Sequence, residues 1–378
     1  MPVSALTITC HDVCNHGASL QAYALAAYLR EHGCRARIID YLPDYLRHEA
    51  SYWRVPNPAW AGSFLRRMIY RIVKFTRNRL FARRRTAFDR FNQHYLPRTD
   101  RRWFSSEQLR EEPPRADLYI CGSDQIWNPL FPNGRDGAFY LDFAPAGARR
   151  ISYAASFATE SIPAQWRESI KERIGKLDAV SVRESSGVRI LSEMGIEART
   201  VVDPVFLQPR IFWEKIAEES PLARSLKSQK YVLLYRFEGD DATAAAARRM
   251  ADRQGLKLFS INGDALAERS FDRYGPETFL TLIQNAQVVV ATSFHAAAFS
   301  ITFHKEFFIA RRREAINTRM ADLLASLGLD GRLIDPERLP SSGSDISWTE
   351  VERLLEQQRA RSEDFLRENI ALAAQRAV

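Results

Sequence analysis

The residues best suited to acid–base and anion chemistry stand where apolar runs break off. Ser293, Phe294 and His295 follow the run QVVVAT. A neutral imidazole there can take a proton from an attacking hydroxyl, and a charged one can supply it. Ser293 can cap the helix opening at SFHAAAF, whose first N–H groups attract an anion. SVRES at 181–185 puts Arg183 and Glu184 after another apolar run; the planar guanidinium fork suits a carboxylate or phosphate as a lysine does not. CGSDQIWN at 121–128 joins Gly122 and Ser123, which let a ligand approach the backbone, to Asp124, Gln125 and Asn128, which can bond sugar hydroxyls. Each has a plain competing reading: a packed histidine, an internal ion pair of Arg183, and a Trp127 that is core rather than a platform for a sugar face.

The stretch ITCHDVCNHGASLQAYAL, residues 8–25, crowds Cys10, His11, Cys14 and His16 together like a metal site. A structural zinc site pairs two ligand groups, and no second pair follows, so no metal is expected. The stretch reads instead as a strand, a ligand-facing loop and a helix. Cys10, Cys14 and His16 then serve packing or support, and His11 is the one to mutate. With no G-x-G-x-x-G and no Walker lysine, a standard dinucleotide or P-loop site is not indicated.

These loops need strands and helices to hold them. ALTITC, the helix ASLQAYALAAYLREHG ending at Gly33, and RARIIDYL form a β-α-β unit. ADLYICG, RRISYAASFA, LDAVSVRE and RTVVDPVFL continue as strands. The polar segment after residue 207 separates a second alternating set, from YVLLYRF to TRMADLLASLGL. The alternation predicts an α/β protein with parallel sheets, and two Rossmann-like domains facing a central cleft. The expected division is 1–207, with a basic helical insertion at about 60–95, then 208–345. Residues 346–378 form a long helix packing back on the first domain. Open parallel sheets bind ligands beyond the carboxyl ends of their strands, where all the motifs above fall.

At 378 residues the chain exceeds the size at which single cores split. It shows no secretory signal and no run of about 20 apolar residues, so a cytoplasmic location is expected. Four cysteines, all in the first third, fit a reducing compartment. A net charge of +8 favours anionic partners. Much of the excess lies in SFLRRMIYRIVKFTRNRLFARRRTAF, either a solvated basic face or a peripheral contact with an anionic membrane or lipid-linked substrate. No zinc-finger, RRM or basic-zipper pattern accompanies it, so nucleic acid is not an expected partner.

Taken in order, NHGASLQAYALAAYLREHGCRARIIDY, YICGSDQIWNP, RISYAASFA, SVRESSGVRIL, VVDPVFL and VVVATSFHAAAFSITFHKEF resemble the polysaccharide pyruvyl transferase family, from about Leu6 to Leu329. The resemblance implies a glycosyltransferase-B-like architecture. It implies a reaction, without a cofactor, that moves pyruvate from phosphoenolpyruvate onto a sugar of a cell-surface polysaccharide or glycan precursor as a ketal, releasing phosphate. His295 and Arg183 match the family residues tied to phosphoenolpyruvate binding and catalysis. Asp124 is then the second proton-transfer partner or the group orienting the acceptor diol. Asn15, Gly17 and Gln21 line the acceptor side, and Gly122, Ser123, Gln125, Glu184, Ser293 and Phe294 complete the substrate contacts. Ala296 departs from the family, which has glycine after that histidine; a Cβ there obstructs a backbone shape or close approach that glycine allows. The rival readings are a glycosyltransferase using a sugar nucleotide, with Glu238 and Asp240 near its ribose, and a non-catalytic carbohydrate-binding relative.

Overall fold

Short apolar runs with no alternation must be buried on both faces, and the computed structural model places them so. It describes residues 2–46, 82–236, 240–311, 318–338 and 345–376. The first sheet holds β1 (Ser4–Ile8), β2 (Arg35–Tyr41), β3 (Arg98–Trp103), β4 (Leu118–Cys121) and β5 (Arg149–Ser152). They run parallel in the order β3-β2-β1-β4-β5. Helix α1 (His16–Glu31) leaves β1 under the Asn15 cap, whose Oδ1 accepts the Ala18 N–H at 3.2 Å, and Gly33 ends the turn at φ +81°. Helix α2 (82–95) buries Phe88 and Phe91.

A small pair, β6 (Ser181–Val182) and β7 (Arg199–Thr200), extends the first sheet through single bridges from Ala155 to Asp124 and to Val182. Those bridges set the 122–125 loop beside Arg183. Helix α3 (Ala164–Ile174) precedes β6, and α4 (Ser185–Ser192) lies between β6 and β7. Helix α5 (Arg210–Glu218) follows within the polar segment.

The second sheet holds β8 (Tyr231–Tyr235), β9 (Lys257–Ser260), β10 (Arg269–Ser270), β11 (Val288–Ala291), β12 (Glu306–Ala310) and β13 (Leu333–Ile334), ordered β10-β9-β8-β11-β12-β13. Its helices are α6 (Asp241–Gln254), α7 (Pro276–Asn285), α8 (Phe294–Thr302) and α9 (Thr318–Ser326). In each sheet the strand order reverses beside the central strand, between β1 and β4 and between β8 and β11, and such switch points open a crevice.

One apolar core runs through both halves, with Trp213 edge-on to Phe299 at 5.0 Å and Tyr23 stacked on Phe212 at 5.3 Å. The last helix, α10 (Trp348–Arg376), lies along the first half: Asn369 Oδ1 accepts Arg149 Nε at 2.9 Å, and Ser362 Oγ accepts the Val202 N–H at 2.9 Å. It also reaches the second half, where Trp348 stacks on His304 at 4.7 Å. No described helix is long and apolar enough to cross a membrane.

Three strands had no sequence signal: β3, β10 and β13 are polar edge strands or two-residue pairs. RTVVDPVFL, expected as a strand, keeps only Arg199–Thr200 extended and turns into a short 3-10 helix at Pro204–Leu207. The physical reason is local, since Asp203 caps the turn through the Val205 N–H at 3.1 Å and Pro204 has no N–H for a ladder. Of the basic helical insertion, residues 60–81 lie outside the described residues. In its described part, Arg84 and Arg85 turn inward, to Cys14 O at 2.9 Å and Asp12 Oδ1 at 2.7 Å.

Candidate active site

The two switch points meet at Gly17 and His295. Gly17 is the second residue of α1, and a Cβ built on it would fall 2.0 Å from His295 Nδ1. His295 is the second residue of α8, whose N-cap Ser293 makes no side-chain capping bond. Two helix amino ends therefore converge on one imidazole, and both favour negative charge nearby.

Around that imidazole stand two buried arginines and two aspartates. Arg183 Nη1 donates to Asp203 Oδ2, its Nη2 lies 3.4 Å from Asp124 Oδ1, and its guanidinium covers the Phe294 ring at 4.3 Å. Arg319 comes from α9 and is 3.9 Å from Asp124 Oδ1. With its amide oxygen turned toward that side chain, Gln125 accepts Arg319 Nη2 at 2.9 Å. His295 Nε2 is 3.7 Å from Asp203 Oδ2. Ser185 N and Oγ both donate to Asp322 Oδ2, at 2.6 and 2.7 Å, and so pin α9 to the amino end of α4.

Several of these polar atoms have nothing to bond. Among the described residues, Arg183 Nε, Arg319 Nε, Glu184 Oε2 and His295 Nε2 are buried without a hydrogen-bond partner. Such atoms cost free energy unless a ligand or water meets them. Beside the two arginines opens a cavity of about 270 Å³ lined by Arg183, Asp203, Phe294, Arg319, Asp322 and Gln358.

Burial and charge set the protonation states. Burial disfavours the Asp124 carboxylate, but Arg183, His295 and Arg319 outweigh it and hold its pKa below the ordinary value. Burial holds the His295 pKa below the ordinary value, against the pull of Asp203 and Asp124. The same burial, with Arg183 alongside, pushes Arg319 down to about 10. Burial raises the Glu184 carboxyl, with Arg183 and Arg319 opposing. Asp124 itself sits at φ +72°, a left-handed conformation uncommon outside glycine and often found at functional positions.

The structure thus gathers His295, Arg183, Asp124, Gln125, Phe294 and Gly17 in one place. It gives other expected residues supporting parts. Gln21, expected to line the acceptor side, is enclosed: its amide donates to Thr9 Oγ1 at 2.9 Å and Ala18 O at 3.0 Å and accepts the Ser123 N–H at 3.2 Å. It ties the loop after β4 to the loop after β1. Ser123 is also enclosed, donating to Ala154 O at 2.9 Å. Glu184 Oε1 takes Ser156 Oγ and the Phe157 and Ala158 N–H groups, between 2.9 and 3.2 Å, and fixes the turn after β5. Gly122 is forced by space, since at φ +129° a Cβ would meet Tyr153 O at 2.0 Å. Asn15 caps α1.

Trp127 is core, stacked on Tyr140 at 5.6 Å with its Nε1 donating to Phe139 O at 2.9 Å. In the opening stretch the imidazoles part company: His11 pairs with Asp40 at 3.3 Å, and His16 stacks on Phe279 at 4.9 Å. Among the described residues no group of three or more His, Cys, Asp or Glu side chains is placed to hold a metal ion. Glu238 lies outside the described residues, and Asp240 caps α6 through the Thr243 N–H at 3.3 Å.

Asp203, Arg319 and Asp322 escaped the sequence reading. Asp203 was legible, as an acid closing the run RTVV. Arg319 and Asp322 sit in an ordinary amphipathic helix, and only tertiary packing brings them to the site.

The model of the polysaccharide pyruvyl transferase family matches residues 15–311, which include every residue of this cluster but Arg319 and Asp322. The chain belongs to the polysaccharide pyruvyl transferase family. No curated protein sequence matches it. Its fold is also found in solved structures at very low identity. A protein from Listeria monocytogenes assigned as a UDP-N-acetylglucosamine 2-epimerase aligns at 9% identity with TM-score 0.54, covering 99% of this chain and 91% of that one. The UDP-GlcNAc 2-epimerase of Methanocaldococcus jannaschii aligns at 13% identity with TM-score 0.51, covering 95% and 94%. The fold of this pyruvyl transferase family member is accordingly α/β and glycosyltransferase-B-like, with a long C-terminal helix.

Proposed function

We propose that the protein moves pyruvate from phosphoenolpyruvate onto two hydroxyls of a sugar in a glycan or glycan precursor. The observation that carries this is the pair of buried arginines with free Nε atoms at a point where two helix amino ends meet an imidazole. A small donor with a carboxylate and a phosphate suits two guanidinium forks better than a nucleotide does. Asp203 and Asp124 already balance the arginines' charge, so the helix ends supply the remaining attraction.

The chemistry divides between two groups. Asp124, held ionised, takes the proton of the first acceptor hydroxyl as its oxygen bonds to C2 of the donor. Charged His295 gives a proton to the methylene carbon, which becomes the methyl group. The second hydroxyl then bonds to C2 as the bond to phosphate breaks; its proton returns to His295, and the proton on Asp124 leaves with phosphate. Both hydroxyl protons are thereby accounted for, one on carbon and one on phosphate. Ala296 is compatible with this, because it lies within α8 and is fully buried.

The test is thermal-shift titration with phosphoenolpyruvate and with UDP-, GDP- and CDP-sugars. A shift with phosphoenolpyruvate, lost in Arg319→Gln, supports the reading; a shift with a sugar nucleotide alone contradicts it. The acceptor reaches the enzyme either free or on a lipid carrier, and the basic residues from Arg66 to Arg83 suit an anionic membrane surface, whereas Arg84 and Arg85 bond inward. Sedimentation with anionic liposomes at low but not high salt is the outcome expected of such contact.

A further inference from the structure

Asp203 is fully buried in the turn after Val202. Its Oδ1 is taken by the Val205 N–H at 3.1 Å. Its Oδ2 accepts from Arg183 Nη1 and, at 3.4 Å, from Ser123 Oγ; His295 Nε2 stands 3.7 Å away, close enough to feel its charge but beyond a hydrogen bond. The turn is fixed on both sides, since Trp213 Nε1 donates to Val205 O at 3.0 Å and Arg359 Nε to Phe206 O at 2.7 Å. The Nδ1 side of the imidazole has different company. Gly17, at the amino end of a 16-residue helix, packs on the ring face over Nδ1, nearer to it than to Cγ or Cε1.

A neutral imidazole carries its proton on one nitrogen only. A carboxylate stabilises an N–H pointed at it, whereas the partial positive charge of a helix amino end stabilises a lone pair. The two fields act on opposite nitrogens and select the same tautomer.

We propose that Asp203 is the positioning residue of this site: it holds His295 as the Nε2–H tautomer and leaves Nδ1 as the nitrogen that exchanges protons with the reacting groups. This rests on the reading of His295 as a proton-transfer residue. In the charged form, Nδ1–H is the proton given to the methylene carbon, and the second acceptor hydroxyl restores it as its oxygen bonds to C2. Nε2–H stays directed at Asp203 throughout, so the carboxylate steadies the imidazolium without being protonated. The charges facing the ring are Asp203 and Asp124, which favour its protonation, and Arg183 and Arg319, which oppose it.

The experiment is NMR of the full-length protein labelled with ¹⁵N-histidine, with the His295 signals assigned by their loss in His295→Gln. Above the titration midpoint, Nε2 is expected to show the shift of a protonated nitrogen and Nδ1 that of a bare one. In Asp203→Asn the midpoint is expected to move down by about one pH unit, and the alkaline limb of kcat, where the protonated imidazole is lost, to move with it, with KM for phosphoenolpyruvate changing less than about threefold. A protonated Nδ1 in the wild type, or an unmoved midpoint in a folded Asp203→Asn, overturns the proposal. If that variant does not fold, the wild-type tautomer decides. The NMR readings need no turnover, so failure of phosphoenolpyruvate as donor leaves them intact.

Discussion

Gly17 and His295, 278 positions apart in sequence, touch so closely that a single methyl group on Gly17 would overlap the imidazole, 2.0 Å from Nδ1. The contact joins the first helix of one sheet to the first turn after the central strand of the other. It places the chemistry of the second half against the amino end of α1.

Gly17→Ala is therefore a substitution in which helix propensity and function disagree. Alanine favours the helix by about 1 kcal/mol, yet the imidazole must move. The expected result is a loss of kcat of at least about tenfold, because a misplacement of ångström scale at a reacting group is enough for that. The melting temperature should change little. Unchanged kcat in the folded variant contradicts the contact.

Ala296 gives the opposite expectation. It stands where the family has glycine, but it is helical and its methyl is packed at 0% exposure. Ala296→Gly should cost about 1 kcal/mol or slightly more in a urea titration, from propensity and lost packing. Activity should stay within about threefold. A gain of tenfold or more in activity would mean that the methyl obstructs the donor.

Arg319 is buried, pairs loosely with Asp124 and keeps a free Nε. Arg319→Gln should raise KM for phosphoenolpyruvate by tenfold or more, on the order of 1.4 kcal/mol or above, as loss of a charge-assisted contact does. Arg319→Lys should restore little of it, because an ammonium lacks the fork. Full rescue by lysine would reduce the role to bare charge.

His16 lies between Phe88 and Phe279, and burial, then Arg84, holds its pKa well below the ordinary value. The unfolded chain binds a proton at about pH 6.5 that the folded state refuses. Stability from this group is complete above that pH and declines as pH falls toward the folded pKa, by up to about 1.4 kcal/mol per unit. In His16→Phe the drop in urea midpoint between pH 7.5 and 5.5 should be smaller than in the wild type. An equal drop assigns the acid sensitivity elsewhere.

The sequence made the sheets legible because their strands are short, apolar and followed by turn residues, as QVVVAT before Ser293 shows. It made His295, Arg183 and Asp124 legible because each stands directly after such a run. It did not show β3, whose Arg98 and Arg102 pair with Asp40 and whose Asp100 pairs with Arg37 of β2 instead of burying an apolar face. It did not separate Gln21 and Ser123 from the ligand-facing residues, since a side chain that ties two loops together and one that meets a substrate look alike in a loop motif. Arg319 was out of reach for a different reason: its relation to Asp124 spans 195 positions and depends on the seating of α9 against α4.

Transfer of pyruvate from phosphoenolpyruvate to a sugar diol leaves a product and a by-product that can both be counted. The most direct measurement is mass spectrometry of candidate glycan acceptors incubated with the protein and phosphoenolpyruvate labelled with ¹³C in the methylene carbon, alongside free phosphate. The expected outcome is an acceptor that gains a labelled pyruvyl ketal with one phosphate released per ketal, and loss of both in His295→Gln. With UDP-, GDP- and CDP-sugars supplied alongside, an acceptor that gains a sugar while phosphoenolpyruvate stays untouched would contradict it.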